Sequence, residues 1–121
     1  MTQFDSVIYT IIVNKLTVTE RIAKELLEER GYWTFKMGQH FPDFMCVNKY
    51  GRTVFYEIKL SGWNLTPAQK SFFQEMSKRK MKIKIMKIKK GRWGQLYDKN
   101  MLNITKDNKE YAIIEEDYEE L

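Results

Sequence analysis

The succession from Arg52 to Lys90 constrains this chain more than any other feature. "RTVFYEIKL" carries the β-branched and aromatic density of a strand, and "MKIKIMKIKK" alternates apolar and polar residues. Between them, "TPAQKSFFQEMSKRK" places Thr66 as N-cap and Pro67 at the first helical position, with Phe72, Phe73 and Met76 on one face. A helix of about three turns inserted between two strands makes a crossover, so the last strand runs parallel to an earlier one.

Upstream, "TVTERIAKELLEER" spaces Val18, Ile22, Ala23, Leu26 and Leu27 as one helical face and ends at Gly31, a stop signal. "YWTFK" and "DFMCVN" then read as strands, with "KYG" as the turn into "RTVFYEIKL". The resulting order, helix, three strands, helix, strand (αβββαβ), is an α/β fold with a central mixed β-sheet flanked by helices. "FDSVIYTIIV" fits either a helix or a strand, with a lean to helix.

The 121 residues suit one domain, and no Pro/Gly/Ser-rich stretch offers a linker. The apolar run Ser6 to Val13 is too short to span a bilayer, so a soluble, intracellular protein with no membrane association is expected. One cysteine, Cys46, and one histidine, His40, exclude an internal disulfide and Cys-rich zinc or iron–sulfur sites. Any bound metal must be held by oxygen. Residues 1–106 contain 20 Lys/Arg against 9 Asp/Glu, a net +11, whereas 107–121 contain 1 against 7, a net −6. The basic body favours a polyanionic partner. The acidic C-terminal tail from about 107 is expected to be a solvated end, ahead of folding back on the basic surface or mimicking nucleic acid.

The hairpin "FPDFMCVNKYGRTVFYEIKL" carries the candidate chemistry. Counting back from Tyr50 and Gly51 sets Asp43 opposite residue 57 or 58, depending on whether the turn has three residues or two. Asp43 and Glu57 are neighbours either way, and like charges at cross-strand spacing repel. Strand alternation puts Lys59 on the same face as Glu57. A hard divalent cation offsets such a carboxylate pair and needs neither His nor Cys. The competing reading leaves Glu57 and Lys59 on an exposed strand, with Asp43 solvated beyond the strand end.

"PDFMCV" followed by "FYEIK" resembles the Pro-Asp…(Asp/Glu)-x-Lys pattern of the PD-(D/E)xK nuclease superfamily. "YEIKLSGWNLTPAQKSFFQEM" is similar to the segment of VRR-NUC (virus-type replication-repair nuclease) domains in which the Glu-x-Lys strand leads into a helix with an early glutamine. Archaeal-type Holliday junction resolvases share that layout and a glutamate in the first helix. The resemblance covers roughly residues 17 to 88 and implies a restriction-endonuclease-like core with Glu20, Asp43, Glu57, Lys59 and Gln69 as catalytic residues. It also implies a Mg²⁺ ion, for which Mn²⁺ can substitute, on Asp43, Glu57, the carbonyl of Ile58 and Glu20, with Lys59 assisting the attacking water. The implied substrate is DNA, first of all a four-way (Holliday) junction cut by a homodimer. The alternatives are a flap or nicking nuclease and an inactive DNA-binding relative.

Thr17-x-x-Glu20 and Thr66-x-x-Gln69 are also capping-box patterns, so each of these candidates has a purely local use. Lys36, Arg52 and Ser61 flank the hairpin site as candidate DNA contacts. The lysines of "MKIKIMKIKK" are read first as the solubilising residues of an edge strand. Trp63 and Trp93 fall in loops, where packing is as good a reading as base stacking, and His40 receives no role.

Overall fold

The computed structural model describes residues 16–38, 41–60, 64–91 and 101–118. Helix α1 (Val18–Glu29) begins where the sequence places it: Thr17 is extended and its hydroxyl accepts the Glu20 amide. Gly31 follows with φ of 91°, a left-handed conformation that suits glycine. Strand β1 (Trp33–Lys36) pairs antiparallel with β2 (Phe44–Val47), which pairs in turn with β3 (Thr53–Leu60). The β2–β3 register sets Val47 opposite Thr53, and the Asn48 amide bonds the Arg52 carbonyl at 2.9 Å. Lys49, Tyr50 and Gly51 therefore form a three-residue turn, closed by Gly51 at φ 81°.

Helix α2 (Pro67–Lys78) has a complete capping box from Thr66 and Gln69, and the expected crossover returns β4 (Ile83–Lys90) parallel to β3. Two further strands lie beyond the expected core. β5 (Met101–Lys106) turns at Asp107 and Asn108, both at positive φ, into β6 (Lys109–Asp117). Positive φ at both central residues matches the twist of the strands they join.

The six-stranded mixed sheet has the order β1-β2-β3-β4-β6-β5. Two expectations are corrected here. Residues 109–117 are not a solvated tail: they form a strand whose Tyr111, Ala112 and Ile113 are buried. β4 is not an edge strand, because β6 pairs with it along its length. The acidic residues that suggested a free tail face the β4 lysines, with Lys87 to Glu116 at 3.2 Å and Lys84 to Asp117 at 4.0 Å.

Each face of the sheet has its own core. Ile22, Ala23 and Leu27 of α1 pack with Phe44, Tyr56, Met86 and Ile113, while Phe73 and Met76 of α2 pack with Phe55, Ile83 and Ile85. Successive β3 residues point to opposite layers, so Glu57 faces the α2 layer together with Phe55. Among the described residues no helix is long and apolar enough to cross a membrane.

Candidate active site

Phe44 lies opposite Tyr56, so the same register carries Asp43 opposite Glu57. The three-residue turn selects this pairing from the two that the sequence allows. Glu57 sits on a strand flanked by β2 and β4 and beneath the first turn of α2, and only 1% of its surface is exposed. Its Oε2 accepts from Gln69 Nε2 at 2.7 Å and lies 3.4 Å from Lys59 Nζ. Its Oε1 is buried without a hydrogen-bond partner.

Gln69 serves the cap and the site with one side chain. Its Oε1 accepts from the Thr66 amide at 3.0 Å and from Lys59 Nζ at 3.1 Å, while its Nε2 holds Glu57. The amide is useful because it offers an acceptor and a donor on adjacent atoms. A carboxylate there offers only acceptors.

Asp43 is held from two sides. Its Oδ2 accepts the Ile58 backbone amide at 2.8 Å, and its Oδ1 lies 3.0 Å from Lys36 Nζ. Lys36 continues to Glu20 Oε2 at 2.7 Å, and Glu20 Oε1 accepts from the Thr17 hydroxyl at 3.1 Å. Burial lowers the Lys36 pKa, but Glu20 and Asp43 together outweigh it and the pKa is raised. Lys36 thus stays charged as the link between helix and hairpin.

These contacts revise three roles. Glu20 does not share a ligand group with Asp43 and Glu57, because Lys36 stands between it and Asp43; among the described residues no three His, Cys, Asp or Glu side chains converge on one point. Lys36 is turned into the site, its ammonium held between Glu20 and Asp43. Arg52 lies at the turn end of the hairpin, five residues from Glu57 along β3 and so roughly 17 Å away, and does not flank the site. Ser61, Trp63, Trp93 and His40 lie outside the described residues.

The electrostatic consequence concentrates on Glu57. Burial raises its pKa, the adjacent Asp43 carboxyl raises it further, and Lys59 offsets only part of this, leaving the value at about 8. A proton is therefore retained at neutral pH unless another cation takes its place. No protein-family model matches the chain. No curated protein and no solved structure matches it significantly either.

The donor set fits a hard divalent cation. Once its proton is displaced, Glu57 Oε1 can coordinate, and each Asp43 oxygen keeps a second lone pair beyond its present bond. Two carboxylates supplemented by water suit Mg²⁺, which is rarely enclosed by protein ligands alone. Of Ile58, the structure shows the amide bond to Asp43. Lys36 is the participant whose role the sequence reading missed. Its signal was the alternation of β1, which puts Lys36 on the α1 face with Thr34, a residue bonded to Lys24 of α1.

Proposed function

We propose that this chain is a divalent-metal-dependent endonuclease with a restriction-endonuclease-like core of the PD-(D/E)xK type, hydrolysing phosphodiester bonds in DNA. The observation that carries the reading is the Asp43–Glu57 pair, two carboxyls held side by side across a hairpin with Glu57 almost wholly buried. Two carboxyls at cross-strand spacing, one of them almost wholly buried, repel unless a proton or another cation offsets their charge.

Asp43 and Glu57 would hold Mg²⁺ or Mn²⁺, which supplies polarisation of a phosphoryl oxygen and acidification of a bound water. Lys59, fixed by Gln69, presents an ammonium on the same face as both carboxyls and can orient a water or receive charge as a phosphodiester opens. Glu20 acts at one remove, anchoring the lysine that fixes Asp43. The basic body supports DNA as the polyanion, branched DNA being the first choice. Cutting both strands of a four-way junction requires two such sites, hence a homodimer.

Incubating the protein with four-way, flap, nicked and linear DNA in Mg²⁺, Mn²⁺ or chelator tests this directly. Cleavage should require the metal and vanish in Asp43→Asn and Glu57→Gln, both of which should remain folded. Near wild-type cleavage by either variant would remove the site assignment. A dimer nicking junctions symmetrically supports the junction reading, whereas a monomer that prefers flaps replaces it.

A further inference from the structure

Edge strands are normally kept short or charged, because an open row of backbone groups invites unwanted pairing. β1 is short, but it exposes two aromatic rings. Trp33 is 58% exposed and Phe35 48%, and their rings stack with centroids 5.9 Å apart at 27°. Thr34 and Lys36 between and beside them bond to α1, so the two rings project from the opposite face of the sheet, the one that carries Glu57.

The platform leads toward the site. Phe35 pairs with Met45, and the next inward step along the same face pairs Met37 with Asp43, whose carbonyl accepts the Met37 amide at 2.8 Å. One such step along β1 and one strand across amounts to roughly 8 Å between the Phe35 and Asp43 backbones. At its outer end, Trp33 pairs with Val47, next to the β2–β3 turn carrying Lys49 and Arg52. The start of β4 brings Lys80 and Lys82 to the same end of the sheet, since Ile83 pairs with Phe55; by strand alternation Arg52 and Lys82 belong to the α1 face, so the cations rim the turn end of the sheet and do not lie beside the rings. These four cations are exposed and enter no ion pair among the described residues, unlike the β4 lysines opposite β6.

We propose that the Trp33–Phe35 face binds a single-stranded nucleic acid, stacking its unpaired bases on the two rings while the cations around the turn neutralise its phosphates. Stacked rings on a face that ends at a rim of positive charge fit this class of ligand: every base has a face to stack, and a flexible backbone can follow the rim. The proposal rests on the nuclease reading only for the direction of approach to Asp43 along β1, and a single-stranded arm fits the flap alternative better than a fully paired four-way junction. Binding itself does not depend on cleavage.

The test uses fluorescence anisotropy of labelled oligothymidylate, oligouridylate and a fully paired duplex, with the full chain in chelator. The single strands should bind more tightly than the duplex, and the ratio of the two oligomers identifies DNA or RNA as the natural source. Trp33→Ala/Phe35→Ala should weaken single-strand binding roughly ten- to hundredfold, with Trp33→Tyr/Phe35→Tyr retaining most of it. Wild-type protein that binds the single strand in chelator but cuts no DNA in Mg²⁺ overturns the nuclease reading without touching this one. Unchanged binding by the alanine variant, or equal affinity for the duplex, overturns the proposal. So does a wild-type dimer that the alanine variant dissolves without losing oligomer affinity, which assigns the face to a second copy of the chain.

Discussion

Glu57 is a buried carboxyl beside a second carboxyl, and the cost of ionising it has a direction. Its pKa of about 8 stands above the ordinary carboxyl value of 4.5, so across the interval between them the folded state binds more protons than the unfolded one. Stability from the retained proton is therefore complete below about pH 4.5 and is lost progressively as the pH rises to about 8, at up to about 1.4 kcal/mol per unit. In chelator, the wild-type melting temperature should fall over this interval, and Glu57→Gln should flatten the fall and melt higher at pH 8. A wild-type profile no steeper than that of Glu57→Gln would show that the carboxyl is not strained. Mg²⁺ competes with the same proton, so its affinity, measured calorimetrically, should rise with pH up to about 8. Gln69 tests the neighbouring half of the site. Gln69→Glu keeps the acceptor for the Thr66 amide but replaces the donor to Glu57 with a further carboxylate. Activity should be lost with a small change in melting temperature, whereas Gln69→Ala should lose the cap as well, at about 1 kcal/mol. Full turnover by Gln69→Glu would leave the residue with only its capping role.

Elements with local signals are legible in this sequence, and those held by distant partners are not. Thr17 and Thr66 announce the helix starts, Gly31 and Gly51 mark where the chain turns, and the Arg52–Lys90 succession dictates the parallel pair of β3 and β4. The Asp43–Glu57 opposition follows from the same turn, because a three-residue loop fixes the register for the whole hairpin. β6 was hidden by its charges. Glu115, Glu116 and Asp117 read as a polar end until Arg30, Lys87 and Lys84 are placed against them, and those contacts join residues far apart in the chain. The lysines of β4 misled for the complementary reason: alternation of Lys and Ile describes an edge strand equally well as one whose lysines meet an acidic neighbour. The inserted strand predicts a stability effect that a solvated tail does not. Ile113 is fully buried in the α1 layer, so Ile113→Ala should cost about 2–4 kcal/mol in urea unfolding. A chain ending at Lys106 should fail to fold cooperatively, since β4 loses one of its two neighbours and β5 loses its only neighbour among the described residues. An unchanged unfolding midpoint in Ile113→Ala would contradict the packing of β6.

Across the whole molecule, the pairing of β6 with β4 changes what the net charge means. The +11 of the body and the −6 of the last fifteen residues are not separate objects, because the strand that carries most of the acid lies against the strand richest in lysine. Lys84 and Lys87 are thereby compensated across the β4–β6 pair, while Lys49, Arg52, Lys80 and Lys82 gather at the hairpin end of the sheet with no ion pair among the described residues. Nucleic-acid affinity should accordingly depend on a small set of cations at one end and not on the total charge. Each phosphate neutralised by such a cation contributes about 0.7 to the salt slope for a single strand and about 0.9 for a duplex. Measuring oligothymidylate affinity between about 50 and 200 mM salt, Arg52→Ala and Lys82→Ala should each make the slope shallower by up to that amount, whereas Lys87→Ala should leave it nearly unchanged. A Lys87 effect as large as that of Arg52 would mean that the β4–β6 seam opens to admit the nucleic acid, and that the acidic strand competes with it for the same lysines.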